Sequence, residues 1–518
     1  VNRPRQINAT GVLIAIALLM FVPFWAGCGG HSASARRGPQ NKADSGGDLI
    51  KSLAESINHL EEFDSGQMLT QIRDRLNQWV SNEHPAVDWQ RDQLLATLPE
   101  KLQNLSDVKK LDAEEYSTSD AVFLQEAVWL RDVAKTTQAG QFDDVLLAER
   151  LFDWTVRNLQ LMKDPVDPAD SADHQRYLLH GPRDILLMSR GTAEERSWVF
   201  VLLARQLGLD AVVLSLPQGE GKPRRAWLPA LLHDKDLYLF DCRLGLPIPG
   251  PEGKGVATLA QVAADDSLLR ALDLDETHPY PVKAAELQQI VPWIEASPGY
   301  LAKRMKLVES RLAGANHVVL NVNASALAKR LTEVPCLVPA VVWPLGYELL
   351  QQREHVNKSM LRAMTAEMVV YQAQPKLAVG RTMQFKGRFD GPKGAKEAFM
   401  SARPSDTKLQ DAKMTPDQRT VYEAAKQNAS FWLGVIAFDE GNYPVAIDFF
   451  SKRTLEAAPD GPWTASAQYN LGRAYEANGQ LEKAIELYED DDSQQRHGNV
   501  LRARRLKSQL AKRQSAGK

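Results

Sequence analysis

Toward its C-terminal end the chain repeats itself, and this self-similarity restricts the fold more than any other feature. Leu433-Gly434 and Leu471-Gly472 head two copies of one pattern. In the first, Gly441, Ala446 and Phe450 stand seven, twelve and sixteen residues after Gly434; in the second, Gly479, Ala484 and Tyr488 stand at the same offsets from Gly472. A small residue and an aromatic at fixed separation let two helices close on one another. Each copy is therefore expected to be a helical pair that needs a neighbour to cover its apolar face. Tyr475 adds an aromatic to the first helix of the second copy, where the first has Ala437. The turn Asp460-Gly461-Pro462-Trp463 separates the copies.

The pattern resembles the tetratricopeptide repeat, and the resemblance implies a helical stack over 417–514 that offers a surface to a protein or peptide partner. Helices from about Asp417 and from about Asn499 to Lys512 are expected to cover its ends. The basic residues Arg502, Arg504, Arg505, Lys507, Lys512 and Arg513 read as a solvated helix face.

At the other end, Arg3 and Arg5 precede an apolar run from Gly11 to Ala26, the layout of an export signal. The run closes Trp25-Ala26-Gly27-Cys28 and resembles a bacterial lipoprotein signal, with Trp25 in place of the usual leucine. The resemblance implies cleavage of 1–27, lipid on Cys28, and a protein anchored to a membrane of the bacterial cell envelope, outside the cytoplasm. The alternative is a plain uncleaved anchor, for which sixteen apolar residues are short of the roughly 20 of a spanning helix, and which also leaves the bulk outside. Residues 28–47 are small and polar, the composition of a flexible tether. A formal charge of -3 gives no electrostatic reason to expect nucleic acid. Beyond Cys28 only Cys242 and Cys336 remain, too few for a zinc cluster, and no cofactor motif is present, so no cofactor or metal is expected. The two thiols read as buried and free, with a single bridge as the alternative.

Between these ends the fold class is α+β multidomain. Residues 48–140 form a helical region: Leu49, Leu53, Ile57 and Leu60, then Met68, Leu69, Ile72, Leu76 and Trp79, keep helical spacing. A helix with Ser119 as N-cap is expected to run to about Thr137, and another from Phe142 to Met162. Residues 141–262 change to a helix followed by strands, including Ala211–Leu214 and Leu237–Phe240. Residues 263–403 read as a mixed region of unassigned fold, with strands at Val318–Val322 and Val369–Tyr371. The polar, Pro-bearing stretch 404–416 reads as a linker.

Three local patterns in 141–262 bear on chemistry. Ala148–Leu159 is an amphipathic helix; Gly191-Thr192-Ala193-Glu194-Glu195-Arg196 runs into an apolar helix and the strand after it; Ala226-Trp227-Leu228, a turn at Asp234-Lys235-Asp236, and Leu239-Phe240-Asp241 form a hairpin. Together they resemble the transglutaminase-like core, a papain-related fold whose chemistry needs a thiolate at a helix N-terminus, an imidazole and a carboxylate. In the matched registers Ala193 replaces the cysteine, Arg225 replaces the histidine, and Asp241 alone agrees. Alanine has no nucleophile and arginine stays protonated, so the resemblance implies a pseudoenzyme. Thr192 and Glu195 read as a capping box, and Arg225 is expected to pair with Asp241 across the former site. Cys242 as a displaced nucleophile is disfavoured, because a strand end supplies no helix dipole.

The expected function is therefore that of a membrane-anchored interaction or scaffold protein outside the cytoplasm. The alternative is an enzyme with a non-standard active site acting on peptide or amide bonds in the cell envelope. Within 263–403, His317, Cys336 and His355 supply reactive groups with no recognisable spacing.

Overall fold

The computed structural model describes residues 66–164, 178–219, 221–335 and 337–516. The expected signal, Cys28, the expected tether, the positions Leu49 to Leu60 and Cys336 lie outside the described residues. Helix predominates, and one six-stranded sheet runs through the middle.

The helical region begins with α1 (Gly66–Glu83), which buries Leu69, Ile72, Leu76 and Trp79 at three- and four-residue spacing. Helix α2 (Thr118–Gln138) starts earlier than expected. Its cap is Ser117, not Ser119: the Ser117 hydroxyl accepts from the Asp120 N–H, and the Asp120 carboxylate accepts from the Ser117 N–H. A cap at Ser119 would put Val122 in the third position, which has no carboxylate to return the bond. Helix α3 (Asp144–Asn158) is capped by Asp143. A two-residue parallel ladder, β1 (Gln160–Leu161) with β2 (Arg190–Gly191), brackets α4 (Pro182–Met188) and leads into α5 (Ala193–Gln206). Twelve of the fourteen residues of α5 are buried, a larger share than the twelve of twenty-one in α2.

The sheet is β6-β5-β4-β3-β7-β8 in spatial order. Strands β3 (Asp210–Leu216), β4 (Arg225–His233), β5 (Asp236–Asp241) and β6 (Leu246–Pro247) pair antiparallel in sequence, and β7 (Val291–Ile294) adds antiparallel to β3. The edge strand β8 (Val341–Val342) is parallel to β7. Burial on both faces of β3 explains its apolar run Ala211–Leu214. Ala211 and Val213 enter the core on the α5 side, while Val212, Leu214 and Leu216 enter a second core roofed by the short helices Leu259–Ala264 and Lys303–Glu309.

Region 263–403 therefore shares this sheet through β7 and β8. Its expected strands are not strands. Val318–Val322 is a loop whose Leu320 and Asn321 N–H groups donate to Glu309 Oε2 at 2.6 Å. Val369–Tyr371 lies inside a helix, where Met360, Met364, Met368 and Tyr371 set a helical period that a pair of valines does not override. The helices here are α6 (Leu345–Glu354), α7 (Lys358–Ala373), α8 (Pro375–Phe385) and α9 (Ala395–Ala402). Residues 404–416 include a four-residue helix, Asp406–Leu409, capped by Ser405 and ion-paired to Lys426.

The chain ends in α10 (Pro416–Asp439), α11 (Tyr443–Phe450), α12 (Thr464–Ala477), α13 (Leu481–Glu489) and α14 (Arg496–Ala516). Their buried apolar residues, except Leu501 of α14, belong to the same core as α3, α5 and one face of the sheet.

Candidate functional site

The first turn of α5 and the end of β5 meet. Ala193 is the first helical residue; Thr192 caps it, with the Thr192 hydroxyl accepting from the Glu195 N–H at 3.2 Å and Glu195 Oε2 accepting from the Thr192 N–H at 2.8 Å. The Ser197 hydroxyl donates to the Ala193 carbonyl at 2.8 Å, and the adjacent Arg196 donates to the Cys242 carbonyl at 3.1 Å. Asp241, at the end of β5, is buried and already partnered. Its Oδ1 accepts the N–H groups of Arg243 and Leu244 at 2.8 and 2.9 Å, and its Oδ2 accepts the Tyr280 hydroxyl at 2.6 Å. That hydroxyl in turn accepts the Trp227 indole N–H at 2.8 Å.

The expected Arg225–Asp241 pair does not form. Tyr280, from outside the hairpin, occupies the carboxylate, and Arg225 opens β4 opposite Leu216 with no ion pair among the described residues. Cys242 is a free, buried thiol whose pKa burial pushes up to about 12, which leaves no thiolate near neutral pH. Of the side chains expected to carry chemistry in 263–403, His317 and His355 are exposed, and His355 Nδ1 meets only the Gln351 carbonyl at 2.8 Å. No group of three metal-ligating side chains occurs among the described residues.

The best-built polar cluster near α5 escaped the sequence. His180 donates its backbone N–H to Glu195 Oε1 at 3.0 Å, its Nδ1 lies 3.4 Å from the same oxygen, and its Nε2 lies 3.0 Å from Glu367 Oε2. Glu367 also holds Arg190 at 3.0 Å. Burial opposes a charge on His180, but hydrogen bonds and attraction from Glu195 and Glu367 outweigh it and lift the pKa to about 9. At neutral pH the ring is a fixed cation rather than a base. His180 and Glu367 are 187 residues apart, so no local pattern announces them.

The repeat glycines sit where the helices of each pair touch. A Cβ on Gly434 would stand 2.7 Å from the Phe450 ring, and one on Gly472 would stand 2.6 Å from the Tyr488 ring. Two equivalent contacts, one per copy, decide the matter. Residues 423–490 match the tetratricopeptide repeat model. No curated protein and no solved structure matches the chain. Within the repeats, Leu433, Leu471, Ala446 and Ala484 are buried with the aromatics, and Tyr475 lies under the Lys483 ammonium at 5.2 Å. The long turn between the copies is filled by Trp463, which stacks on Phe431 at 4.4 Å and donates to Asn428 at 2.7 Å.

The first helix of each repeat is occupied on both sides. Two residues before each glycine, about 200° around the helix, stand Trp432 and Asn470. Trp432 donates to the Ser189 hydroxyl at 3.0 Å, and Asn470 donates to the Arg157 carbonyl at 3.1 Å, so both point into the body of the protein. Around them Arg157 of α3 pairs with Asp439 at 2.6 Å and lies over the Phe438 ring at 4.5 Å, while Asp153 of α3 takes Arg473 at 2.5 Å. Buried Arg196 adds a fifth tie, donating to Gln495 at 3.0 Å as well as to the Leu159 carbonyl at 2.9 Å. The basic run of α14 is a solvated face, as its sequence suggests: Arg504, Arg505, Lys507, Lys512 and Arg513 are exposed, Lys507 pairing with Glu489 at 2.5 Å, and Arg502 alone is largely covered, paired with Glu476 at 2.8 Å.

Proposed function

We propose that the protein is a membrane-anchored interaction protein outside the cytoplasm, with a catalytically inactive transglutaminase-like segment and a repeat region that takes a protein partner. The observation that carries this reading is the pair of tetratricopeptide repeats at 423–490, an architecture built to present side chains to other proteins. The setting of the former triad supports the inactive segment: Ala193 lacks a nucleophile, Asp241 is bound to Tyr280, and Cys242 is a buried thiol. The export-type N-terminus with Cys28 supports the anchor.

Because the first helices face α3, the partner surface is placed on the second helices, α11 and α13. There Val445 is 40% exposed, and Glu482, Lys483 and Glu486 are exposed. The test is affinity capture from solubilised membranes with the intact chain, with Val445→Glu and with Glu486→Lys. Recovery of one specific protein by the intact chain, reduced in both variants, is the expected result; equal recovery by all three refutes the placement. Deleting 417–518 is not a usable control, because those helices complete the core. Intact mass of the membrane fraction tests the anchor: a mature chain starting at Cys28 with added acyl mass is expected, and an unprocessed chain refutes lipidation.

A further inference from the structure

Helices α8 and α9 form a pair built like the two matched copies. Gly380 stands on α8 where a Cβ would run into the Phe399 ring of α9, the contact that Gly434 makes with Phe450 and Gly472 with Tyr488. Seven residues after each of the three glycines comes another, Gly387, Gly441 or Gly479, with φ of +66°, +74° and +77°. Each ends its helix in the same way. The next residue's N–H returns to the carbonyl five back, Arg388 to Met383 at 3.0 Å, Asn442 to Ala437 at 2.8 Å and Gln480 to Tyr475 at 2.8 Å. The carbonyl of that same residue then accepts the N–H of a buried alanine early in the second helix, Ala395, Ala446 or Ala484, at 2.9, 3.0 and 3.2 Å. Four residues beyond each alanine stands the aromatic, Phe399, Phe450 or Tyr488, fully buried in every case.

The third pair is hidden from a reading by spacing because its turn holds three more residues: Gly387 and Ala395 are eight apart, against five in the other copies. The addition sits outside, in the exposed residues 390–393, and the hydrogen bonds on either side of it are those of the shorter turns. Helix α9 packs on α10 as α11 packs on α12, with Phe399 5.2 Å from Trp432, and the short helix Asp406–Leu409 lengthens the step between them. The first helices also reach the body of the protein from shared registers. The residue after the glycine is Arg381 in α8 and Arg473 in α12; these donate to the Leu186 carbonyl at 2.8 Å and to Asp153 at 2.5 Å. The residue two before it is Trp432 in α10 and Asn470 in α12, bound to Ser189 and to the Arg157 carbonyl. Gln384 of α8 adds Asn158 at 3.3 Å. Every target lies in the last two turns of α3 or at the end of α4. The final carbonyls of a helix have no acceptor role within it, and the array supplies their donors.

We propose that residues 375–402 are a third tetratricopeptide repeat, and that the first-helix face of the three-repeat array is a binding surface whose ligand is part of the same chain, the C-terminal ends of α3 and α4. From those two ends β1 and β2 depart, and β2 runs into the first turn of α5. The array therefore fastens the body of the protein with one face and leaves its second helices for other molecules. The inference rests on the repeats matched at 423–490. It does not rest on the anchor or on the partner surface placed on α11 and α13, which the changes below leave untouched.

The full chain tests both parts. Deleting Asp390, Gly391 and Pro392 gives the turn of 375–402 the length of the other two. A single urea transition at the parent midpoint is expected; an earlier midpoint, or a chain that does not fold, overturns the third repeat. Asn470→Leu and Arg381→Met each remove a donor and keep the bulk. By hydrogen exchange with mass spectrometry, the first is expected to speed exchange about tenfold in peptides covering 156–162 and the second in peptides covering 186–192, with 210–241 of the sheet unchanged. Trp432→Phe, which gives up only the indole N–H, is expected to act on 186–192 in the same sense and replaces Arg381→Met if that variant does not fold. No change in either segment, or a rise spread equally through the sheet, overturns the binding of α3 and α4 by the array.

Discussion

Replacing Arg157 by methionine tests whether the repeats are bolted to the core by charge or merely lie against it. Methionine keeps the aliphatic stem and removes the guanidinium. Arg157 is held by Asp439 at 2.6 Å and Asp153 at 2.7 Å, with its side chain 9% exposed and that of Asp439 16% exposed. At that separation, with an effective dielectric of about 20, the Arg157–Asp439 attraction is about 6 kcal/mol gross, most of which offsets the drying of the two ions. The variant loses the attraction while Asp439 stays in its dry site, and an orphaned buried charge costs about 3–5 kcal/mol. The lost contact over Phe438 adds about 1 kcal/mol. Burial already holds the Asp439 carboxyl above the usual carboxylate range, so proton uptake relieves part of this, and a net loss of about 4 kcal/mol is expected. Arg157→Met combined with Asp439→Leu removes both charges and should cost about 1 kcal/mol or less. The assay is urea unfolding at neutral pH followed by tryptophan fluorescence. A loss below about 1 kcal/mol in the single variant, or a double variant as unstable as the single, would refute the reasoning. So would unfolding of the repeats in a separate, earlier transition.

Three further outcomes are expected. His180 has its folded pKa raised to about 9 from 6.5, so its contribution, about 3 kcal/mol gross, is complete below pH 6.5 and is lost as pH rises through about 9; the stability gap between the wild type and His180→Gln should close over that window in melts from pH 6 to 10. Gly472→Val drives carbon into the Tyr488 ring, 2.6 Å from the first added atom, and should cost about 2–3 kcal/mol by urea unfolding, unlike the same change at exposed Gly479 measured against Gly479→Ala. Cys242 should resist alkylation by iodoacetamide at pH 8 in the native protein and react once urea is added; modification of the native chain would contradict its burial.

The repeats were legible because their packing is local. Gly434 meets Phe450 and Gly472 meets Tyr488 within sixteen residues, so the constraint is written as spacing. The capping box at Thr192 and Glu195 was readable for the same reason. What escaped lies at long range. Tyr280 displaces Arg225 from Asp241 across 39 residues, and nothing near Asp241 signals a phenol. His180 gains its charge from residues 15 and 187 positions away. Val369-Val370-Tyr371 misled because a short apolar run fits strand and helix equally, and only the methionine period of the whole of α7 decides. The ownership of the sheet was hidden too, since β7 and β8 are four and two residues long and are held by their neighbours rather than by a pattern of their own.

The ties between α3 and the repeats also govern the order in which the chain can be completed. Arg157 and Asp439 are 282 residues apart, and Asp153 and Arg473 are 320 apart. A chain delivered N-terminus first therefore holds α3 without its partners until almost the last segment has arrived. During that interval the α3 face that will receive α10 and α12, with Arg157 and the apolar residues around it, has no cover from the same molecule. Pairing across such separations is slow, and exposed apolar surface invites association with other chains. A chain terminated before Pro416 would remain in that unfinished state for good, and aggregation or proteolysis is its expected fate rather than function as a shorter protein.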